Sequence, residues 1–370
     1  MHATKHQAVC PTRKRIVQVV TSVCAGGLSR YLLDLLHYLD RDRFETHLLC
    51  THFEGPHFAE ARNLVASATV LGARHNVQKF ARLGAALLRL RPDVVHCHQE
   101  PAGLVAGRLC GVRTRLETIH MADYWMTDGR PGYREFAWAC ATRRLVYTED
   151  QKRLVSGFVP AEGVQVVSPG LDLARLKGYF RRDSVPDAAA MRDASVVVGT
   201  VSRFDPEKGV GFLIEAAPAV LRGCPGAHFL LVGDGSLRDE FEQRCTALGI
   251  RDRVHFTGYQ PDGYRYLGAM DIFVMPSLSE SWGFTAMEAM AAGVPVVCSD
   301  LPGPTSFMQH GQHGLVVRPQ DVAGIAAAVL RLADDPAYRT RLGNAGKCEM
   351  ETRHPVTRMV SAYEALYAAS

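Results

Sequence analysis

No stretch of this 370-residue chain approaches the roughly 18 to 20 consecutive apolar residues of a membrane span, so no transmembrane helix is expected. The polar start MHATKHQAVCPTRKR does not read as a signal peptide. The ten cysteines are scattered without one C-x-x-C pair, which argues against a zinc ribbon or a dithiol redox centre and suits the reduced thiols of a cytoplasmic protein. Cys97 and Cys298 sit in apolar strands as small core residues. Repeats and low-complexity tracts are absent, and no interleaving of basic and aromatic residues marks a nucleic-acid reader. A strong excess of one charge is also missing, since the net charge is only +4. Its distribution is uneven, however: residues 1 to 180 hold 24 Lys+Arg against 16 Asp+Glu, and the remainder hold 18 against 22. The basic amino-terminal half fits peripheral contact with an anionic membrane or with a lipid-linked phosphate acceptor. Within it, Lys79 to Leu90 is a candidate membrane-surface helix, with Phe80, Leu83, Leu87 and Leu90 on one face and Lys79, Arg82 and Arg89 on the other.

What is present is a regular alternation of strand and helix signals, which predicts an α/β protein with mainly parallel sheets. The length exceeds one usual core, so two domains are expected, at 1–176 and 177–355, with the helix 356–370 packing back on the first. One series of apolar strands runs through Arg15 to Val23, His47 to Cys50, Thr69 to Leu71, Asp93 to Cys97, Arg115 to Ile119 and Arg144 to Thr148. A second comprises Val196 to Val201, His228 to Val232, Val254 to Thr257, Ile272 to Met275, Val294 to Cys298 and Leu315 to Val317. Between them Lys177 to Asp193, rich in Arg, Asp and Ala and holding Pro186, reads as the linker. At the carboxyl end, Met359, Val360, Tyr363, Leu366 and Tyr367 fall at helical spacing.

The segment with most chemistry is Met275 to Ser299, MPSLSESWGFTAMEAMAAGVPVVCS. A short buried strand ends at Pro276, a loop holds Glu280, and a helix-forming run from Phe284 to Ala292 holds Glu288 before Gly293 stops it. Glu280 therefore lies at the carboxyl end of a strand, where open α/β sheets bind ligands. A loop carboxylate there can accept hydrogen bonds from sugar hydroxyls, and one on the adjoining helix can take both hydroxyls of a ribose. Trp282, Gly283 and Phe284 between them are a costly choice for a plain surface loop.

Other motifs sit at equivalent strand ends. Ser202-Arg203-Phe204-Asp205-Pro206-Glu207-Lys208-Gly209 carries Arg203 and Lys208 at a spacing that lets one loop aim two cations at a diphosphate. Gly233-Asp234-Gly235 is a turn, as is Gly258 before the aromatic Tyr259. Gly26 and Gly27 separate a strand from a helix, so an anion could approach the helix amino terminus, although the pair is not the G-x-G-x-x-G fingerprint. His96 and His98 share one side of a strand end, without an evident third ligand for a metal, and His120 ends the next strand. Asp40-Arg41-Asp42 is formally D-x-D but follows a leucine-rich helix, so it reads as a solvated helix exit.

Together these residues resemble the retaining GT-B glycosyltransferases of family 4, the group 1 type. Glu280 and Glu288 match the family's E-x7-E signature, and Ser202 to Gly209 matches G-R-L-x-x-x-K-G with Ser and Phe in place of Gly and Leu. Val167-Ser168-Pro169-Gly170-Leu171-Asp172 is similar to P-N-G-V-D without its Asn. The resemblance covers nearly the whole chain. It implies two Rossmann-like domains facing across a deep cleft and a nucleoside-diphosphate-sugar donor. It also implies a sugar or lipid-linked acceptor, and no metal or cofactor. Glu280 would face the transferred sugar, His120 the acceptor side, Glu288 the ribose, and Arg203 and Lys208 the diphosphate. Gly26, Gly27, Gly233, Gly258, Trp282, Gly283 and Phe284 would line the donor. The rival readings are a sugar-nucleotide epimerase or hydrolase on the same fold, and a non-catalytic nucleotide-sugar-binding subunit. Base, sugar and acceptor stay open.

Overall fold

The computed structural model describes residues 13–24, 26–120, 131–177, 185, 191 and 193–370. The expected linker Lys177 to Asp193 lies almost wholly outside them. The chain forms two compact units, one running to Val167 and closed by Thr357–Ser370, the other Ser168–Val356. Ser168 to Leu176, expected in the first unit, thus belong to the second.

The first unit is a seven-stranded parallel sheet in the order β3-β2-β1-β4-β5-β6-β7. Its strands are β1 (Lys14–Val20), β2 (Phe44–Cys50), β3 (Ser67–Val70), β4 (Val94–His98), β5 (Thr114–Thr118), β6 (Arg143–Val146) and β7 (Val164–Val166). β7 is three residues long, too short to show a period in the sequence. The crossover helices are α1 (Gly27–Tyr38), α2 (Phe58–Leu64), α3 (Asn76–Leu90), α4 (Ala102–Leu109), α5 (Pro131–Cys140) and α6 (Glu149–Ser156). Helices on both faces explain why β1 is apolar from Ile16 to Val20 except at Gln18, with Ile16, Val17, Val19 and Val20 all fully buried. Leu83 and Leu87 of α3 are buried in the same core, so the apolar face considered for a membrane is engaged inside the unit.

The second unit is a six-stranded parallel sheet, β10-β9-β8-β11-β12-β13. It comprises β8 (Val196–Val201), β9 (Ala227–Val232), β10 (Val254–Phe256), β11 (Ile272–Met275), β12 (Val296–Ser299) and β13 (Gly314–Val317). Its helices are α7 (Leu173–Leu176), α8 (Val210–Gly223), α9 (Arg238–Ala247), α10 (Phe284–Ala291), α11 (Pro302–Thr305), α12 (Val322–Asp334) and α13 (Pro336–Arg353). In each sheet the strand order reverses once, between β1 and β4 and between β8 and β11. At such a point neighbouring connections leave in opposite directions and open a crevice at the carboxyl edge.

The last helix, α14 (Val356–Ala368), returns to the first unit. Tyr363 and Tyr367 are fully buried there, and Glu364 accepts a hydrogen bond from the Asp40 amide (2.9 Å) and pairs with Arg43 (3.2 Å). Asp40 itself accepts from the Asp42 amide at 2.9 Å, so the D-x-D triplet is a capped turn at the exit of α1. No helix among the described residues is long and apolar enough to cross a membrane.

Candidate functional site

In the second unit the loops after β8 and β11 are fastened to each other. Gly209 has φ 62°, and a Cβ on it would lie 2.1 Å from the Pro276 carbonyl oxygen, so only glycine lets the backbones approach this closely. The Leu278 amide donates to the Glu207 carbonyl at 2.8 Å. This contact places Lys208 beside Glu280: Nζ donates to Oε1 at 2.7 Å, and Ser277 Oγ donates to the same oxygen at 3.0 Å. The two side chains are 20% and 14% exposed, so the charge-assisted bond is only partly screened by water.

The expected convergence of Arg203 with Lys208 is not what the structure shows. Arg203 is 65% exposed and pairs with Asp205 and Glu207 of its own loop. Those acids stand two and four residues away, so the guanidinium finds them first, and the loop aims one cation, Lys208, at Glu280. Asp205 also accepts from Ser236 Oγ at 3.0 Å, which ties this loop to the Gly233–Ser236 turn.

Gly233 has φ 138°, its amide donates to the Gly258 carbonyl at 3.1 Å, and a Cβ on it would lie 1.8 Å from the Ser202 carbonyl oxygen. The pair therefore shapes three adjoining loops, and the Gly233 amide is engaged within the protein. Trp282 is likewise a core anchor and not a ligand-facing ring. It is 2% exposed, its Nε1 donates to Met287 Sδ at 2.6 Å, and its ring lies 5.2 Å from that of Phe307. Gly283 (φ 95°) is the residue from which α10 starts, and the half-buried Phe284 opens the helix. Glu288, 13% exposed, faces Arg175 of α7, whose Nη2 stands 4.0 Å from Oε1. Tyr259 is 57% exposed.

In the first unit Gly26 (φ 134°) leads into α1, accepting from the Arg30 amide at 3.1 Å, with Gly27 as the first helical residue. A Cβ on Gly26 would meet nothing within 4 Å, so the amino terminus is sterically open. His120 belongs to a buried polar chain. Its Nδ1 takes the Tyr147 hydroxyl and its Nε2 meets His98 Nδ1 at 2.9 Å. His98 Nε2 reaches Gln18 Oε1 (2.9 Å), Gln18 Nε2 donates to the Tyr367 hydroxyl (3.0 Å), and that hydroxyl meets His96 Nδ1 (2.7 Å). His96 Nε2 continues to Thr118 (2.8 Å), then to Tyr363 (2.7 Å) and Tyr31.

Donor and acceptor roles follow in sequence once Gln18 donates to Tyr367. Gln18 Oε1 accepts from His98 Nε2–H, so neutral His98 accepts at Nδ1 from His120 Nε2–H, and His120 accepts from Tyr147. Each histidine is thus satisfied in its neutral form. Burial pushes His98 down to about 3, and burial followed by the neighbouring histidines holds His96 well below the usual range, as burial and His98 do for His120. Both His120 nitrogens are engaged within the protein, which leaves neither for a sugar in this arrangement.

Two buried acids were not anticipated. Glu100, 3% exposed beside the β1/β4 reversal, accepts from Thr51 Oγ1 (2.7 Å) and pairs with Lys79 (3.2 Å). Glu117 on β5 is pushed up to about 8 by burial, against the opposing pull of Arg144. Neither lies in a motif: Glu100 stands two residues past the end of β4, and Glu117 lies inside β5. No three His, Cys, Asp or Glu side chains among the described residues group as metal ligands.

Two parallel Rossmann-like sheets, with charged loops meeting at a strand-order reversal, are the architecture of the GT-B glycosyltransferases. The fold is similar to that of HepE from Anabaena, solved in complex with UDP, with a TM-score of 0.81 at 19% identity over 96% of this chain and all of that one. Residues 25–175 match the family described as Glycosyltransferase Family 4, and residues 195–335 match Glycosyl transferases group 1. The lipopolysaccharide core biosynthesis glycosyltransferase LpsD of Rhizobium meliloti is 40% identical over 92% of this chain and 95% of its own. The Escherichia coli UDP-Gal:alpha-D-GlcNAc-diphosphoundecaprenol alpha-1,3-galactosyltransferase is 24% identical over 87% and 88%. The chain belongs to the family 4, group 1 glycosyltransferases.

Proposed function

We propose that the protein transfers a sugar, with retention of anomeric configuration, from a nucleoside diphosphate donor to a hydroxyl of a growing cell-surface glycan such as a lipopolysaccharide core. The observation that carries this reading is the Lys208–Glu280 pair at the β8/β11 reversal, with Glu288 on the helix that follows. Glu280 accepts from sugar hydroxyls, Glu288 holds the ribose, and Lys208 meets the charge that grows on the leaving diphosphate as the sugar–phosphate bond breaks. Arg203 joins the diphosphate by exchanging its carboxylate partners for phosphate oxygens.

The LpsD likeness supports a lipopolysaccharide acceptor, and the UDP-bound structure of HepE and the name of the Escherichia coli relative support a uridine donor. The deciding experiment follows released nucleoside diphosphate from UDP-, GDP-, ADP- and TDP-sugars with and without a core oligosaccharide acceptor. Release that requires the acceptor supports transfer; equal release without it means hydrolysis, and binding without release means a silent subunit. Product anomeric configuration by NMR tests retention. Turnover is expected to survive EDTA; its loss, with recovery on adding magnesium or manganese, refutes charge neutralisation by side chains alone.

A further inference from the structure

Glu288 shares its surroundings with a cation from a distant part of the chain. The segment leading to α7 is pinned to the end of the second unit, where the Leu171 amide donates to the His354 carbonyl (2.8 Å) and the Val356 amide to the Leu171 carbonyl (3.0 Å). Asp172 then caps α7 by accepting from the Arg175 amide at 2.9 Å, which sets where the Arg175 side chain departs. Its guanidinium lies over the Tyr264 ring, 4.8 Å from Cζ to centroid, and Nη2 stands 4.0 Å from Glu288 Oε1. Arg175 and Glu288 are only 19% and 13% exposed. Three segments far apart in sequence thus build one charged, half-dry group around a single carboxylate.

We propose that Arg175 is a positioning residue for the donor nucleotide: stacked on Tyr264, it holds the Glu288 carboxylate oriented to accept the two ribose hydroxyls. This rests on the ribose reading of Glu288. A carboxylate has about four acceptor sites, so it can keep the arginine and take both hydroxyls together. A guanidinium suits this task because its plane stacks on the ring while its edge faces the acid. An arginine that merely clamps α7 to α10 would affect every ligand of the unit alike.

The two roles separate by calorimetric titration with UDP, GDP and ADP and with their 2′-deoxy forms, the tightest-binding pair being read. Arg175→Ala should weaken the ribonucleotide about 5- to 10-fold, the scale of one partly screened charge contact. The 2′-deoxy form, which offers Glu288 one hydroxyl fewer, should lose under about 2-fold. Arg175→Lys, which keeps the charge without the stacking plane, should recover part of the loss and guards against a misfolded alanine variant. Adding Arg175→Ala to Glu288→Gln should cost nothing further. Equal weakening of ribo and deoxy forms, or no weakening where Glu288→Gln weakens, overturns the role of Arg175. Unchanged ribonucleotide affinity in Glu288→Gln instead removes the ribose reading itself.

Discussion

Replacing Lys208 by alanine removes a cation that donates to Glu280 at 2.7 Å. The ground state loses one charge-assisted bond, and Glu280 keeps Ser277 Oγ at 3.0 Å. With the carboxylate 14% exposed, a fully buried orphan charge would overstate the loss, and about 1–2 kcal/mol of stability is expected. For a unit of this size that is a fall of roughly 2 to 8 °C in its melting transition. The kinetic effect should be larger. Negative charge on the bridging phosphate oxygen exists fully only as the bond to the sugar breaks, so a preplaced ammonium favours the transition state over the bound donor. Loss of one such preorganised donor costs on the order of 10²- to 10³-fold in kcat, or about 3–4 kcal/mol. Steady-state kinetics of Lys208→Ala beside Arg203→Ala, each with a folded circular dichroism spectrum, measures it. Arg203→Ala should act more on KM, since that guanidinium must first leave Asp205 and Glu207. A Lys208→Ala enzyme with altered KM and unchanged kcat makes the lysine a uniform binder, and one unchanged in both removes it from the reaction.

Gly209→Ala should destabilise the second unit by about 3 kcal/mol or more and reduce turnover, because the new methyl meets the Pro276 carbonyl at 2.1 Å at a positive φ; wild-type melting and activity would refute the fastened-loop account. Glu288→Gln should weaken nucleoside diphosphate binding while leaving the fold intact, as titration calorimetry and circular dichroism can establish. Stability of the first unit should depend on pH with a maximum near 6.5. His96, His98 and His120 stay neutral when folded but protonate below 6.5 when unfolded, so their contribution is present above 6.5 and lost as pH falls. Glu117 runs the other way: with its folded value raised from 4.5 to about 8, its contribution is present below 4.5 and lost as pH rises through 8. Three histidines against one glutamate make the acid-side slope the steeper, and the decline from 6.5 to 8 has the opposite sign. Hydrogen exchange of the β4 and β5 amides across this range reads it, and Glu117→Gln should abolish the alkaline decline; a flat profile refutes the neutral-histidine network.

Much of this was legible before any tertiary structure. Strands buried on both faces announce themselves as apolar runs, so β8 and β11 were located to the residue, and the Glu280–Glu288 segment followed from strand, loop and helix formers in order. The helix α14 was legible too, from apolar and tyrosine positions at helical spacing. These are local matters, decided by neighbours within a few residues.

Partner choice was not local. Lys208 and Glu280 are 72 residues apart and meet only because β8 lies beside β11 in the sheet. Arg203, with the same charge and an equally suitable spacing, is taken by acids within its own loop, a competition that the residue types alone leave undecided. Trp282 looked like a ligand-facing ring, but the loop turns it onto Phe307 and Met287. His120 looked available, but its two nitrogens are claimed by Tyr147 and His98 across the sheet. The sequence by itself determined which groups reach the carboxyl edges of the strands. Strand order and burial then decided which of them face one another, because hydrogen bonds and charge pairs act over a few ångströms of space, whatever their distance along the chain.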